Sequence, residues 1–133
     1  MGATRTELQA SAALIASGNT AKFALETASQ VMVGVNVTAQ SGTTPVLDMW
    51  LQVSDDGGTT WYDMPADYTL KTNNAAGQGT FVAGARDIVD GLSAATGDFL
   101  AVYKSVASDW VRLKWIISGT TPSFTLSASM VVK

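Results

Sequence analysis

Carboxylates are the residues of this chain best equipped for chemistry, and Asp55, Asp56, Asp63 and Asp67 lie close together. Oxygen ligands in such a group suit a hard cation such as calcium, but the spacing is not that of an EF-hand and no bidentate glutamate follows. Two carboxylates facing across a cleft, one with its pKa raised, would suit glycoside hydrolysis. Nothing in the spacing of the 11 Asp and Glu residues selects such a pair. Histidine and cysteine are both absent. That removes the usual general base near neutral pH, the commonest metal ligand, the thiolate nucleophile and any disulfide. No nucleophile, base and orienting group can be assembled. The chain is therefore read as no enzyme, with no catalytic, cofactor-binding or metal-ligating residue.

The charge pattern narrows the partners. Eight basic residues (Arg5, Lys22, Lys71, Arg86, Lys104, Arg112, Lys114 and Lys133) are scattered without a run, and the net charge is -3. Binding to nucleic acid through phosphate neutralisation is disfavoured. Charged residues make up 14% of the chain against 47% hydrophobic, below the roughly 25% charged of an average domain. A surface so poor in charge is expected to be covered in part by another subunit. No apolar run approaches a membrane span. The stretch from Ala10 to Ala16 is broken by serines and preceded by Glu7, which is not the pattern of a signal peptide. Met1-Gly2-Ala3-Thr4-Arg5-Thr6 fits the loose N-myristoylation pattern, whose two fixed positions recur by chance.

The elements that must position these residues are strands. Val46 to Ser54 alternates strictly, with Leu47, Met49, Leu51 and Val53 on one face and Asp48, Trp50, Gln52 and Ser54 on the other. Asp55-Asp56-Gly57-Gly58 tolerates positive φ and turns the chain into Thr59-Thr60-Trp61-Tyr62, so residues 47–64 form a hairpin. Upstream, Leu8 to Ile15 reads as a strand or a short helix, and Thr20 to Glu26 as a strand that would complete a hairpin with it. Gln30 to Gln40 puts Val31, Val33, Val35, Val37 and Ala39 on one face. Its Asn36-Val37-Thr38 matches a glycosylation sequon but lies mid-strand. Ser41-Gly42-Thr43-Thr44-Pro45 reads as a turn.

Further along, Asp67 to Thr72 and Thr80 to Ala83 read as short strands, and Arg86 to Leu92 as a strand end or helical turn. Asp98 to Ser105, Asp109 to Ser118 and Ser123 to Lys133 alternate again, the last two separated by a turn at Gly119-Thr120-Thr121-Pro122. About eight to ten strands with regular turn signals predict an all-β fold, an antiparallel β-sandwich of jelly-roll or immunoglobulin-like type. One domain is expected over residues 1–133, with a short N-terminal arm (about 1–8) and a long loop-rich insertion (about 73–98).

Ser54, Asp56, Gly58, Thr60 and Trp61 fit the Asp-box pattern Ser-x-Asp-x-Gly-x-Thr-Trp at every fixed position. Asp boxes recur once per blade in sialidase-like propellers, as a structural hairpin remote from the catalytic site. One copy in 133 residues is too little chain for several blades, so the motif is read as a turn clamp, with Trp61 anchoring the returning strand in the core. Trp50 and Trp110 lie on otherwise polar strand faces. Together with Arg86 and Tyr62 they are the candidate interface residues, for a protein partner or, as the alternative, for stacking on a glycan.

Leu47 to Met64 resembles the hairpin of small tailed-bacteriophage virion proteins, among them capsid decoration (cement, or head auxiliary) proteins. That resemblance implies a virion structural protein that binds the outside of a phage capsid and stabilises it by bridging subunits. Its partners would be the major capsid protein and further copies of itself, as a trimer, with no cofactor. It would be assembled in the bacterial host cytoplasm and reside on the capsid surface. A carbohydrate- or receptor-binding accessory module, from a tail, a baseplate or a secreted enzyme, is the alternative.

Overall fold

A computed structural model of the chain describes residues 4–25, 30–72 and 80–133. The strands are β1 (Thr4–Leu14), β2 (Gly18–Asn19), β3 (Phe23–Ala24), β4 (Val31–Ser54), β5 (Tyr62–Met64), β6 (Tyr68–Thr72), β7 (Thr80–Ala83), β8 (Asp87–Ser93), β9 (Gly97–Tyr103) and β10 (Trp110–Val132). All pair antiparallel, and no helix occurs among the described residues. This is the all-β antiparallel fold that the periodicity predicts.

Two strands carry the rest. β4 is 24 residues long and β10 is 23, against a usual five or six. They pair from Val31 with Val132 to Ser54 with Trp110. One half of this ribbon joins β4 up to Gln40 with β10 from Phe124, flanked by β1 on one side and β9, β6 and β7 on the other. The other half joins β4 from Val46 with β10 up to Ser118, and carries β2 and β3 on β10, with β8 and β5 on β4. Val33, Val35, Phe99, Phe124 and Leu126 of the first half and Leu47, Met49, Leu51, Val111 and Leu113 of the second belong to one buried cluster. Each such side chain contributes about 1.5–3 kcal/mol on burial, so the common core is what holds the two halves together.

Where the halves meet, the ribbon changes direction at two copies of one pentapeptide. Ser41-Gly42-Thr43-Thr44-Pro45 of β4 crosses Ser118-Gly119-Thr120-Thr121-Pro122 of β10. Gly42 and Thr44 have φ of 111° and 48°, and Gly119 and Thr121 have 119° and 46°. The two kinks are thus conformational copies. A Cβ on Gly42 would lie 2.7 Å from the Thr121 carbonyl oxygen, and one on Gly119 would lie 2.7 Å from that of Thr44. Only glycine allows so close a backbone approach. The register slips between Ser118 and Thr120 and between Thr120 and Ser123, and then pairing resumes.

The turns expected at 41–45 and 119–122 are therefore bulges inside continuous strands, because each kink is matched by its partner's and the ladder survives. Other boundaries differ too. The segments around 8–15 and 20–26 do not pair with each other. β1 pairs with the second half of β10, and β2 and β3 with its first half, so one long strand takes both; Glu26 lies outside the described residues. Of the expected arm, about residues 1–8, residues 1–3 lie outside the described residues and Thr4 to Leu8 is part of β1, with Leu8 in the core. Within 73–98, β7, β8 and the start of β9 are strands, and residues 73–79 lie outside the described residues.

Candidate functional site

The Asp-box residues close the hairpin between β4 and β5 by hydrogen bonds to the turn's own amides. Ser54, fully buried at the end of β4, donates to Asp56 Oδ1 at 2.8 Å and accepts from the Gly58 amide at 2.9 Å. Asp56 Oδ1 also accepts from the Thr60 and Thr59 amides at 2.8 and 3.1 Å. Gly57 and Gly58 take φ of 79° and 97°, which lets the amides converge. The Thr60 amide and hydroxyl, followed by Ser54 and Thr59, hold the Asp56 carboxyl down at about 2, against an ordinary 3.8. Trp61 donates from Nε1 to the Gly58 carbonyl at 2.9 Å. It is half-buried outside the core cluster, so it fastens the turn to itself rather than anchoring the strand in the core.

Three indole rings of this half of the molecule are each covered by a cation of the chain itself. The Arg86 guanidinium lies 3.9 Å from the centre of the Trp50 ring, that of Arg112 lies 4.3 Å from Trp61, and Lys22 Nζ lies 4.4 Å from Trp110. Lys22 Nζ also donates to the Gly57 carbonyl and so ties the hairpin tip to Trp110. Trp50, at 4% exposure, is buried beneath Arg86. Tyr62, in contrast, is 55% exposed.

A polar network links the Trp50 and Trp61 caps. Asp63 Oδ1 accepts from Trp50 Nε1 at 2.6 Å and Gln52 Nε2 at 2.9 Å, while Asp63 Oδ2 lies 3.5 Å from Arg86 Nη1. Arg86 Nε donates to Asp87 Oδ1 at 2.8 Å, and Arg112 Nε to Gln52 Oε1 at 2.8 Å. The Gln52 hydrogen bond, then that of Trp50 and the Arg86 charge, lower the Asp63 pKa against the opposing effect of burial. Asp87 is raised, chiefly by burial. Of the expected interface residues, Trp50 and Arg86 therefore come together, Tyr62 is exposed on the adjoining strand, and Trp110 belongs to the neighbouring Lys22 cap.

The carboxylates Asp55, Asp56, Asp63 and Asp67 do not converge. Asp56 and Asp63 serve the turn and the network, and Asp67 Oδ2 accepts from the Lys104 amide. A different trio, Asp48, Asp87 and Asp90, has carboxylate oxygens within 4.8 Å of one another. Asp48 accepts from the Gly91 amide at 2.7 Å, and Asp87 from Arg86. Reading by sequence missed this trio, Lys22, Gln52 and Arg112. For Gln52 and Arg112 the available signal was that both lie on the polar faces of their strands, but only the register of β4 on β10 makes them direct partners.

No family model matches the chain, and no curated protein matches it. Among solved structures, its fold is similar to that of the SPBc2 prophage-derived protein YomS, with a TM-score of 0.50 and 12% identity. The likeness covers 100% of this chain and 96% of that one, so it is one of whole architecture.

Proposed function

We propose that this chain is a non-enzymatic, phage-associated structural protein that binds the outside of an assembled capsid and stabilises it. The observation that carries the reading is the whole-length likeness of its fold to a prophage-derived protein. The resemblance of the Leu47–Met64 hairpin to those of small virion proteins supports it, as does the sequence, which has no histidine and no cysteine. In this role each copy bridges neighbouring copies of the major capsid protein. Its binding free energy then favours the intact shell over the dissociated one by mass action. Tyr62, exposed beside a self-satisfied polar network, is a contact residue that costs little to desolvate.

The test uses capsids assembled without this protein. Added protein should bind them in fixed stoichiometry and raise the temperature at which they fall apart. Absence of binding, with capsids no less heat-resistant than complete ones, defeats the reading. So does glycan-array binding that disappears in Trp110→Ala, which would instead mark a carbohydrate-binding module.

A further inference from the structure

The outer face of the sheet half built from β1, β10, β4, β9 and β6 differs from the network face, because its rows are apolar across β4, β9 and β6, with Arg5 and Glu7 at the β1 end. Strand pairing arranges it in rows. One row crosses the sheet as Arg5, Val131, Met32, Val102 and Tyr68, and the next as Glu7, Ser129, Gly34, Leu100 and Leu70. Two shallow hollows lie on it. One, of about 310 Å³, is bordered by Arg5, Glu7, Gly34, Asn36, Asp98 and Ser129, and the other, of about 260 Å³, by Met32, Tyr68, Val102, Lys104 and Val131. Met32 is 39% exposed.

Gly34 is the feature that needs a cause. Its φ is not positive, and a Cβ placed on it would meet nothing within 4 Å. The chain's own fold therefore does not require glycine there, although glycine weakens a strand interior. Close approach of a ligand or of another backbone is one use to which a strand glycine is put.

We propose that this face is a two-fold docking surface for a second copy of the chain. Place a two-fold axis in the face, across the strands at the level of Val33, between the two rows. The axis lays the first row of one copy on the second row of the other. Met32 then enters the hollow over the partner's Gly34, and Arg5 meets the partner's Glu7. Val102 falls on the partner's Leu100 and Tyr68 on the partner's Leu70. Each contact occurs twice, as an isologous interface requires.

Arg5 and Glu7 make no side-chain hydrogen bond or ion pair with any described residue, so both are available to a partner. Five strands at about 4.8 Å spacing and seven residues at about 3.4 Å rise give roughly 600 Å² in projection. With side-chain relief that approaches the roughly 800 Å² per partner of a standard interface. An apolar centre with a charged rim is also the usual layout of such an interface.

Solution mass tests this without any capsid present, so the outcome is independent of the functional reading. Sedimentation over a concentration series should show a species of twice the 13.9 kDa chain. Gly34→Val should weaken association at least about ten-fold by filling the hollow. In dilute, monomeric solution it should melt no lower than the parent, since valine suits a strand and meets no neighbour. Arg5→Glu and Glu7→Arg should each weaken association about ten-fold at low salt, and the two together should restore it to within a few-fold. A monomer throughout, a trimer, or a dimer indifferent to Gly34→Val and to the paired charge exchange would each overturn the proposal.

Discussion

Replacing Gly42 by alanine should be among the most damaging single-methyl additions this chain can receive. At φ 111° a residue with a Cβ is held outside its allowed wells, which costs about 1–3 kcal/mol. The new Cβ would also sit 2.7 Å from the Thr121 carbonyl oxygen and 2.8 Å from Pro122 Cα. Both are backbone atoms, so neither can swing aside, and relief requires prising the two strands apart at about 1–3 kcal/mol more. Together these give roughly 2–6 kcal/mol, a large fraction of the roughly 5–15 kcal/mol that holds a domain folded. Urea unfolding measures it as a lowered midpoint at unchanged slope. Gly57→Ala is the control: φ is 79° but no atom lies within 4 Å of the added Cβ, so it should lose only about 1–2 kcal/mol. Gly42→Ala with Gly119→Ala should cost less than the sum of the two, because one opened corner relieves both contacts. If Gly42→Ala proves no worse than Gly57→Ala, the account of the corner as a close backbone crossing is wrong.

Acid should loosen the hairpin turn in a defined window. The Asp56 carboxyl is held at about 2 against 3.8 when free, so its stabilisation is complete above the free value and is lost as pH falls from about 4 toward 2; in Asp56→Asn the stability-against-pH curve should be flatter there. Asp63→Ala should cost about 1–3 kcal/mol in urea unfolding, because it strands the buried Trp50 indole N–H, and adding Trp50→Phe should recover part of the hydrogen-bond loss. The Tyr103 hydroxyl is buried without a hydrogen-bond partner among the described residues, and burial also raises its pKa. Tyr103→Phe should therefore leave thermal stability unchanged or raise it, whereas a clear loss would mean that the hydroxyl is bonded in the folded protein.

Strand faces were legible in the sequence because a period of two survives without knowledge of partners. Val31, Val33, Val35, Leu47, Met49, Leu51, Leu113 and Leu126 all point inward as the alternation requires. The Asp-box clamp was legible as well, since its bonds are local and its residue types are their own donors and acceptors. What escaped was what depends on pairing between distant segments. Ser-Gly-Thr-Thr-Pro reads as a turn wherever it stands alone, and it becomes a corner in a continuous strand only when a second copy crosses it in register. Trp50 likewise reads as an exposed ring on a polar face, since nothing local reveals that Arg86 will lie over it.

These caps also sharpen the meaning of the sparse charge. Lys22, Arg86 and Arg112 are each held against an indole ring, and all three are hydrogen-bonded as well. These three cations of the network half are therefore already engaged within the chain, although its rings first suggest a binding platform. Arg5 and Glu7, in contrast, lie two residues apart on β1, unpaired among the described residues, at the rim of an apolar face with a glycine at its centre. Adjacent opposite charges that do not engage each other match a reversed copy of themselves. Electrostatic selectivity of this kind acts more on register than on affinity, so the apolar rows would provide the adhesion and the Arg5–Glu7 exchange the alignment. On that reasoning, high salt should leave association of the parent largely intact while erasing the difference between the single charge reversals and the double exchange. If salt instead dissociated the parent outright, charge rather than apolar burial would be holding the copies together.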